Sequence, residues 1–129
     1  KELGSQKVLL VHGEDGLDEI TLTGKTTLVA LEEGRITEGE VVPEDLGLDY
    51  CQSSDLSGGD SSRNATLLKG LLEGYESPLR DAVLLNAAAA LVVVGRARNW
   101  EEGIAIGEHS IDQGKALQAM KELIRVSNE

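Results

Sequence analysis

The stretch from Val8 to Thr23 constrains this chain more than any other. An aliphatic run, Val8-Leu9-Leu10-Val11, passes directly into the glycine-punctuated turn His12-Gly13-Glu14-Asp15-Gly16. The adjacent carboxylates Asp18 and Glu19 follow, and the alternating segment Ile20-Thr21-Leu22-Thr23 closes it. A short aliphatic run bounded by turn residues predicts a strand covered on both faces. In open α/β sheets, ligands gather just beyond the carboxyl ends of such strands. Glu14, Asp15, Asp18 and Glu19 all fall in that position, so the remaining sequence is interpreted around them.

The core must be built without large aromatics, because the chain has no Phe, one Trp and two Tyr although 40% of it is apolar. Leu, Val, Ile and Ala are left to fill it, which favours helices packed on a sheet over a β-sandwich. A length of 129 residues fits one domain or a piece of one. The net charge of −11, from 23 acids against 12 bases, argues against nucleic acid and anionic membrane as partners. Binding a phosphate backbone takes clustered Lys and Arg.

Cys51 is the single cysteine, so an internal disulfide and a thiolate metal cage are both excluded. Asn64-Ala65-Thr66 matches a glycosylation acceptor, but a helix-start asparagine in a cytosolic protein accounts for it better. No charged-then-apolar leader is present, and the longest apolar run, Ala87 to Val94, is too short to span a bilayer. The expectation is a soluble, cytoplasmic protein. Lys1-Glu2-Leu3-Gly4 resembles the tail of a helix closed by glycine, followed almost at once by the aliphatic strand. A buried parallel strand needs neighbours reached through helical crossovers, and the absence of that crossover predicts a fragment of a larger protein.

Along the chain, Lys7 to Val11 is the first expected strand and His12 to Asp18 its loop. Ile20 to Leu22 and Thr26 to Leu31 are expected as two short strands joined around Gly24-Lys25. Glu32-Glu33-Gly34-Arg35 forms a second turn, and Ile36 to Val42 a half-exposed strand ended by Pro43. Pro43 to Gly47 has the form of one helical turn, and Asp49 to Asp60 that of a surface loop. Four helices follow. The first is capped by Asp60 or a neighbouring serine and ended by Gly74. The second starts at Ser77-Pro78 and is apolar nearly all round from Asp81 to Val94, with Ala87 to Ala90 allowing close approach. The third is capped by Asn99, and the fourth runs from Lys115 to about Val126 after Gly114. The fold class is therefore α/β: a buried strand, a small antiparallel meander, then four helices, forming an incomplete α/β domain.

Asp18 and Glu19 are the leading metal candidates. Mg²⁺ prefers oxygen ligands and is held by one or two carboxylates plus substrate phosphates. Adjacent acids in a loop can converge on one ion, whereas in a regular strand they would point to opposite faces. The competing interpretation is a solvated acidic turn, common in an acidic chain. Glu14 and Asp15 rank second, in a loop that glycines leave mobile. His12 at the strand end is a candidate general base, against the commoner role of bonding a backbone group to shape the turn. His109 is expected on a helix surface. Gly58-Gly59 ahead of a helix could cradle phosphate, but no Walker pattern is present and Asp60 would repel the anion. Asn86, polar on an apolar helix, is expected to satisfy a neighbouring backbone group. Cys51 has no basic neighbour to activate it.

The segment His12-Gly13-Glu14-Asp15-Gly16-Leu17-Asp18-Glu19-Ile20 closely resembles the C-terminal part of the anthranilate phosphoribosyltransferase family. The likeness continues through Gly58-Gly59-Asp60, Arg80 to Leu91, and Glu101-Glu102-Gly103 to Ala116-Leu117. It implies a large α/β domain of the nucleoside phosphorylase/phosphoribosyltransferase type. It also implies transfer of phosphoribose from phosphoribosyl pyrophosphate to anthranilate, with release of pyrophosphate, in tryptophan biosynthesis. Carried over by position, the family's Mg²⁺-binding acidic pair falls on Asp18 and Glu19. The family's glycine-rich phosphate loop, its Lys-His-Gly-Asn segment, its anthranilate-binding arginine and its helical domain with the homodimer contact are all missing from residues 1–129. The resemblance thus implies a chain inactive alone that supplies metal ligands and scaffold to a complete homodimeric enzyme. A non-catalytic binding or scaffold fragment of the same fold is the alternative.

Overall fold

The computed structural model describes residues 1–129. Three strands, β1 (Lys7–Gly13), β2 (Thr26–Glu32) and β3 (Arg35–Val41), form an antiparallel meander in that order. Helices α1 (Ser61–Leu72), α2 (Pro78–Val93), α3 (Trp100–Asp112) and α4 (Lys115–Ser127) follow. Two single turns of 3-10 helix, Pro43–Leu46 and Ser53–Leu56, lie between sheet and helices. A small antiparallel sheet followed by four helices is the α/β arrangement expected from the sequence.

The sheet differs from expectation in two respects: the meander has different strands, and β1 is covered on one face and not on both. Ile20 to Leu22 is not a strand, and β1 itself is the first strand of the meander, paired with β2 from Lys7↔Glu32 to Gly13↔Thr26. The N–H groups of Ile20, Thr21 and Thr23 are satisfied by side chains instead of by a ladder, and Leu22 O accepts from Cys51 N–H (3.0 Å). Ile20 N–H donates to Asn86 Oδ1 (3.0 Å), Thr21 N–H to Thr26 Oγ1 (3.1 Å) and Thr23 N–H to Thr21 Oγ1 (3.0 Å). Short polar side chains that bond nearby backbone compete with strand pairing in this way. The other hairpin closes through Glu33 (φ 49°) and Gly34 (φ 74°) between the paired Glu32 and Arg35. Positive φ at both central residues is the type I′ geometry that suits the strand twist.

β1 is covered on one face within this chain. Leu9 and Val11 pack on the main core, whereas Leu10 on the opposite face is 63% exposed. Both lateral coverage and pairing are one-sided, because α2 lies against a single face and β2 along a single edge. The main core joins Ile20, Leu22 and Val41 to Leu85, Ala88 and Ala89 of α2 and Ile104 of α3. A second cluster, Leu71, Leu84 and Ile111, ties α1 to α2 and α3.

The helix starts follow the local signals. Asp60, Ser77 and Asn99 accept from the backbone N–H of Arg63 (2.8 Å), Arg80 (3.2 Å) and Glu102 (3.0 Å). Each satisfies an otherwise unpaired first-turn donor. The α2–α3 contact rests on absent side-chain volume. A Cβ at Gly103 would stand 2.8 Å from Ala88 Cα and Cβ, and one at Gly107 2.8 Å from Leu84 Cδ2. The alanine run thus serves the close approach expected of it.

Candidate functional site

The acidic segment is the long connection between the ends of β1 and β2. Its base is closed by the last rung, Gly13↔Thr26, extended by Glu14 N–H donating to Lys25 O at 2.9 Å. Inside, Gly13 N–H donates to Leu17 O and Gly16 N–H to Gly13 O, both at 2.9 Å. Gly16 takes a φ of 90°, open chiefly to glycine. At Gly13 the constraint is space, since a Cβ there would lie 2.5 Å from Asp15 Oδ1.

Asp15 organises this loop. Its Oδ1 accepts from Leu17 N–H (3.1 Å), and its Oδ2 accepts from the hydroxyls of Thr21 (2.7 Å) and Thr23 (2.6 Å). Desolvation pushes its carboxyl up, but the hydrogen bonds from Thr23, Thr21 and Leu17 outweigh it and hold the group below the ordinary range. Asp15 is therefore occupied as a loop staple. Glu14 packs its side chain over Gly24, where a Cβ would meet Glu14 Oε2 at 3.1 Å. Neither of these second-rank candidates stands with Asp18 and Glu19.

Asp18 and Glu19 are exposed and stand together at the mouth of an open cleft of about 490 Å³. Leu17, Ile20, Leu79, Ala82 and Val83 make most of its wall, with Asn86 beneath the loop. Asp18 and Glu19 are the only charged side chains lining it. Neither carboxylate takes part in a hydrogen bond or ion pair within the chain, so their oxygens are free to accept a ligand. Two oxygen donors with no Cys or His beside them suit a hard cation such as Mg²⁺, which completes its shell with water or phosphate oxygens. No group of three or more potential ligand side chains gathers anywhere in the chain, so a closed, all-protein cage is not what this site offers.

The other candidates separate from the cleft. His12 lies within β1 opposite Thr27, exposed and making no side-chain hydrogen bond, so it does not shape the turn as expected. The strand ladder already holds its backbone. His109 is exposed on the last turn of α3. Gly58 makes room for Asn64 and Gly59 for the stem of Arg63; Asn64 Oδ1 accepts from Gly59 N–H (2.8 Å) and its Nδ2 donates to Gly59 O (3.1 Å). That employment accounts for both glycines and asparagine without phosphate or glycan. Cys51 is half-buried, and desolvation, reinforced by Asp55, Asp81 and Asp15, pushes its thiol up and away from thiolate.

Sequence reasoning placed Asn86 as a polar residue serving backbone but not its partner. Its Nδ2 donates to Ile20 O (2.8 Å) and to Ala82 O (2.9 Å), while Oδ1 holds Ile20 N–H. The Asp15–Thr21–Thr23 network was missed. Its visible signal was the Thr-x-Thr spacing, which sets both hydroxyls on one side of the backbone, five residues after an Asp-Gly turn.

The fold is shared with known proteins. Over 128 residues the chain is 56% identical to an anthranilate phosphoribosyltransferase of Bradyrhizobium sp. (strain ORS 278), covering 99% of this chain and 38% of that enzyme. Among solved structures, the anthranilate phosphoribosyltransferase of Saccharomyces cerevisiae in complex with 4-fluoroanthranilate superposes with a TM-score of 0.85 at 30% identity. That match covers 95% of this chain and 36% of the other. The same yeast enzyme in complex with PRPP and Mg gives a TM-score of 0.83 at 30% identity, covering 94% and 35%. The chain thus spans less than two-fifths of the length of each protein it matches. Residues 1–117 match the family described as "Glycosyl transferase family, a/b domain". With that match over most of its length and an α/β fold shared with the solved relatives, this chain belongs to the glycosyl transferase family, as part of its a/b domain.

Proposed function

We propose that this chain is the C-terminal portion, residues 1–129, of the α/β domain of an anthranilate phosphoribosyltransferase. The complete enzyme transfers phosphoribose from phosphoribosyl pyrophosphate to the amino group of anthranilate and releases pyrophosphate, a step of tryptophan biosynthesis. The observation that carries this reading is the cleft whose only charged lining residues are Asp18 and Glu19, both unengaged. These two side chains would hold Mg²⁺. The metal's chemistry when bound is to neutralise charge gathering on the leaving pyrophosphate.

The protein's own part is orientation. The loop base, the Asp15 staple and the Asn86 amide present two adjacent carboxylates on one rim of an apolar cleft. No Lys, Arg or His lines that cleft, so the sugar phosphate and the anthranilate carboxylate find no counter-charge among these residues. The N-terminal helical domain and phosphate-binding loops of the same protein would supply it, in a cytoplasmic homodimer. No helix here is long and apolar enough to cross a membrane, and the charge of −11 disfavours nucleic acid.

The test is a Mg²⁺ titration of turnover in the complete enzyme with Asp18→Asn and Glu19→Gln. Each variant should need far more Mg²⁺ and lose about 10²-fold or more in kcat/KM, the scale for removing one electrostatic stabiliser. Wild-type metal dependence in both variants would refute the assignment and favour a non-catalytic scaffold.

A further inference from the structure

Asp18 and Glu19 have no hydrogen bonds of their own, and Gly16, two residues earlier, relaxes the backbone on that side. What fixes them lies on the other side. Ile20 is 2% exposed, and both of its backbone polar groups end on one amide, that of Asn86 on α2. The N–H of Ile20 belongs to the peptide that joins it to Glu19. Asn86 therefore grips the chain at the bond immediately following the second carboxylate.

The amide is itself immobilised. Its second Nδ2 proton goes to Ala82 O, one turn back along the same helix, so acceptor and both donors are engaged. Turning the amide over would set its NH₂ against an N–H and its oxygen against two carbonyls, so the network dictates its orientation. Asn86 also lines the same cleft as the carboxylates.

Resting on the reading of Asp18 and Glu19 as Mg²⁺ ligands, we propose that Asn86 is a positioning residue that sets where those two carboxylates stand over the cleft. It touches neither carboxylate and acts through the Glu19–Ile20 peptide. Residues that orient metal ligands from behind change metal affinity or activity by about 10–100-fold when replaced.

The experiment uses the complete enzyme with Asn86→Leu, which keeps the branching and heavy-atom count and deletes all three hydrogen bonds. Mn²⁺ binding in the presence of phosphoribosyl pyrophosphate is followed by the electron paramagnetic resonance signal of the free ion. Thermal stability and the KM for anthranilate are measured alongside. The expected result is Mn²⁺ binding weakened about 10–100-fold, with the anthranilate KM within about twofold of wild type. Lowered stability with unchanged Mn²⁺ binding would overturn the proposal and leave Asn86 as a tie between loop and helix. If the leucine variant does not fold, Asn86→Asp carries the same test. It keeps the size and the acceptor for Ile20 N–H but sets a carboxylate against Ile20 O and Ala82 O. Asp18→Asn is the internal reference. Mn²⁺ binding unaffected by Asp18→Asn would overturn the metal reading itself, whereas a loss with Asp18→Asn and none with either Asn86 variant would overturn only the positioning role.

Discussion

At the residue scale, the two neighbouring acids of the loop have opposite employments. Asp15 is consumed by hydrogen bonds, and Asp18 has none. Charge-assisted hydrogen bonds to a carboxylate are stronger than their neutral counterparts, so Asp15→Asn should lower stability at neutral pH. The sign with pH follows from the depressed pKa. The folded carboxyl titrates below its ordinary 3.8, so its contribution is fully present above that value and is lost as pH falls through the folded one. Urea midpoints of wild type and Asp15→Asn should therefore differ at pH 6–7, about two or more units above the ordinary carboxylate range, and converge as the pH drops below 3.8. A gap that stays constant into acid would show that the carboxylate charge is not what the threonines hold. Sequence ranked Asp15 below Asp18 for a different reason, a mobile loop, because the hydroxyls that occupy Asp15 act through three-dimensional closure of the loop.

At the scale of elements, signals that act within a few residues were legible and those that act across the fold were not. Asp60, Ser77 and Asn99 cap the helices that their types announced, and Gly74, Gly95 and Gly114 take positive φ at or beside the ends expected of them. The alternation of Ile20 to Thr23 also looked local, but the partner of Ile20 is 66 positions away on α2. No strand period can report that. The α2–α3 contact makes a second test. Gly103→Ala would gain up to about 1 kcal/mol of helix propensity. Its new methyl, however, would meet Ala88 Cα and Cβ at 2.8 Å, and overpacking of a core contact costs about 1–3 kcal/mol. The net effect should be destabilising. Asn99→Ala, on the same helix, should cost about 1 kcal/mol through the lost cap. Chemical denaturation separates the two predictions, and a stabilised Gly103→Ala would mean that the helices can part without loss.

At the scale of the whole molecule, the sheet and helices carry a rim of acid over an apolar cleft and leave one face of β1 open. Leu10 and Ile36 on that side of the sheet are 63% and 59% exposed, and Val94 beyond α2 is 67% exposed. The α/β class was readable from the strand-then-helix order, but the one-sided cover of β1 was not, since an aliphatic run has the same pattern whether one face or two are packed. The resemblance over His12 to Ile20 added what periodicity could not, the chemistry expected of Asp18 and Glu19. Because no cation lines the cleft, the 129-residue chain incubated with Mg²⁺, phosphoribosyl pyrophosphate and anthranilate should consume no anthranilate above the uncatalysed rate. Measurable turnover by the chain alone would contradict the division of the site proposed above.

The closed base of the β1–β2 connection has a consequence for engineering. With Gly16 and Leu17 bonded back to Gly13 and Asp15, and Ile20 held by α2, only Asp18 and Glu19 hang between fixed posts. The side chains of Asp18 and Glu19 bond to nothing else in the chain, so replacing them should leave strand register and helix packing unchanged. Ligand preference and scaffold stability should therefore be selectable independently in a library confined to those positions.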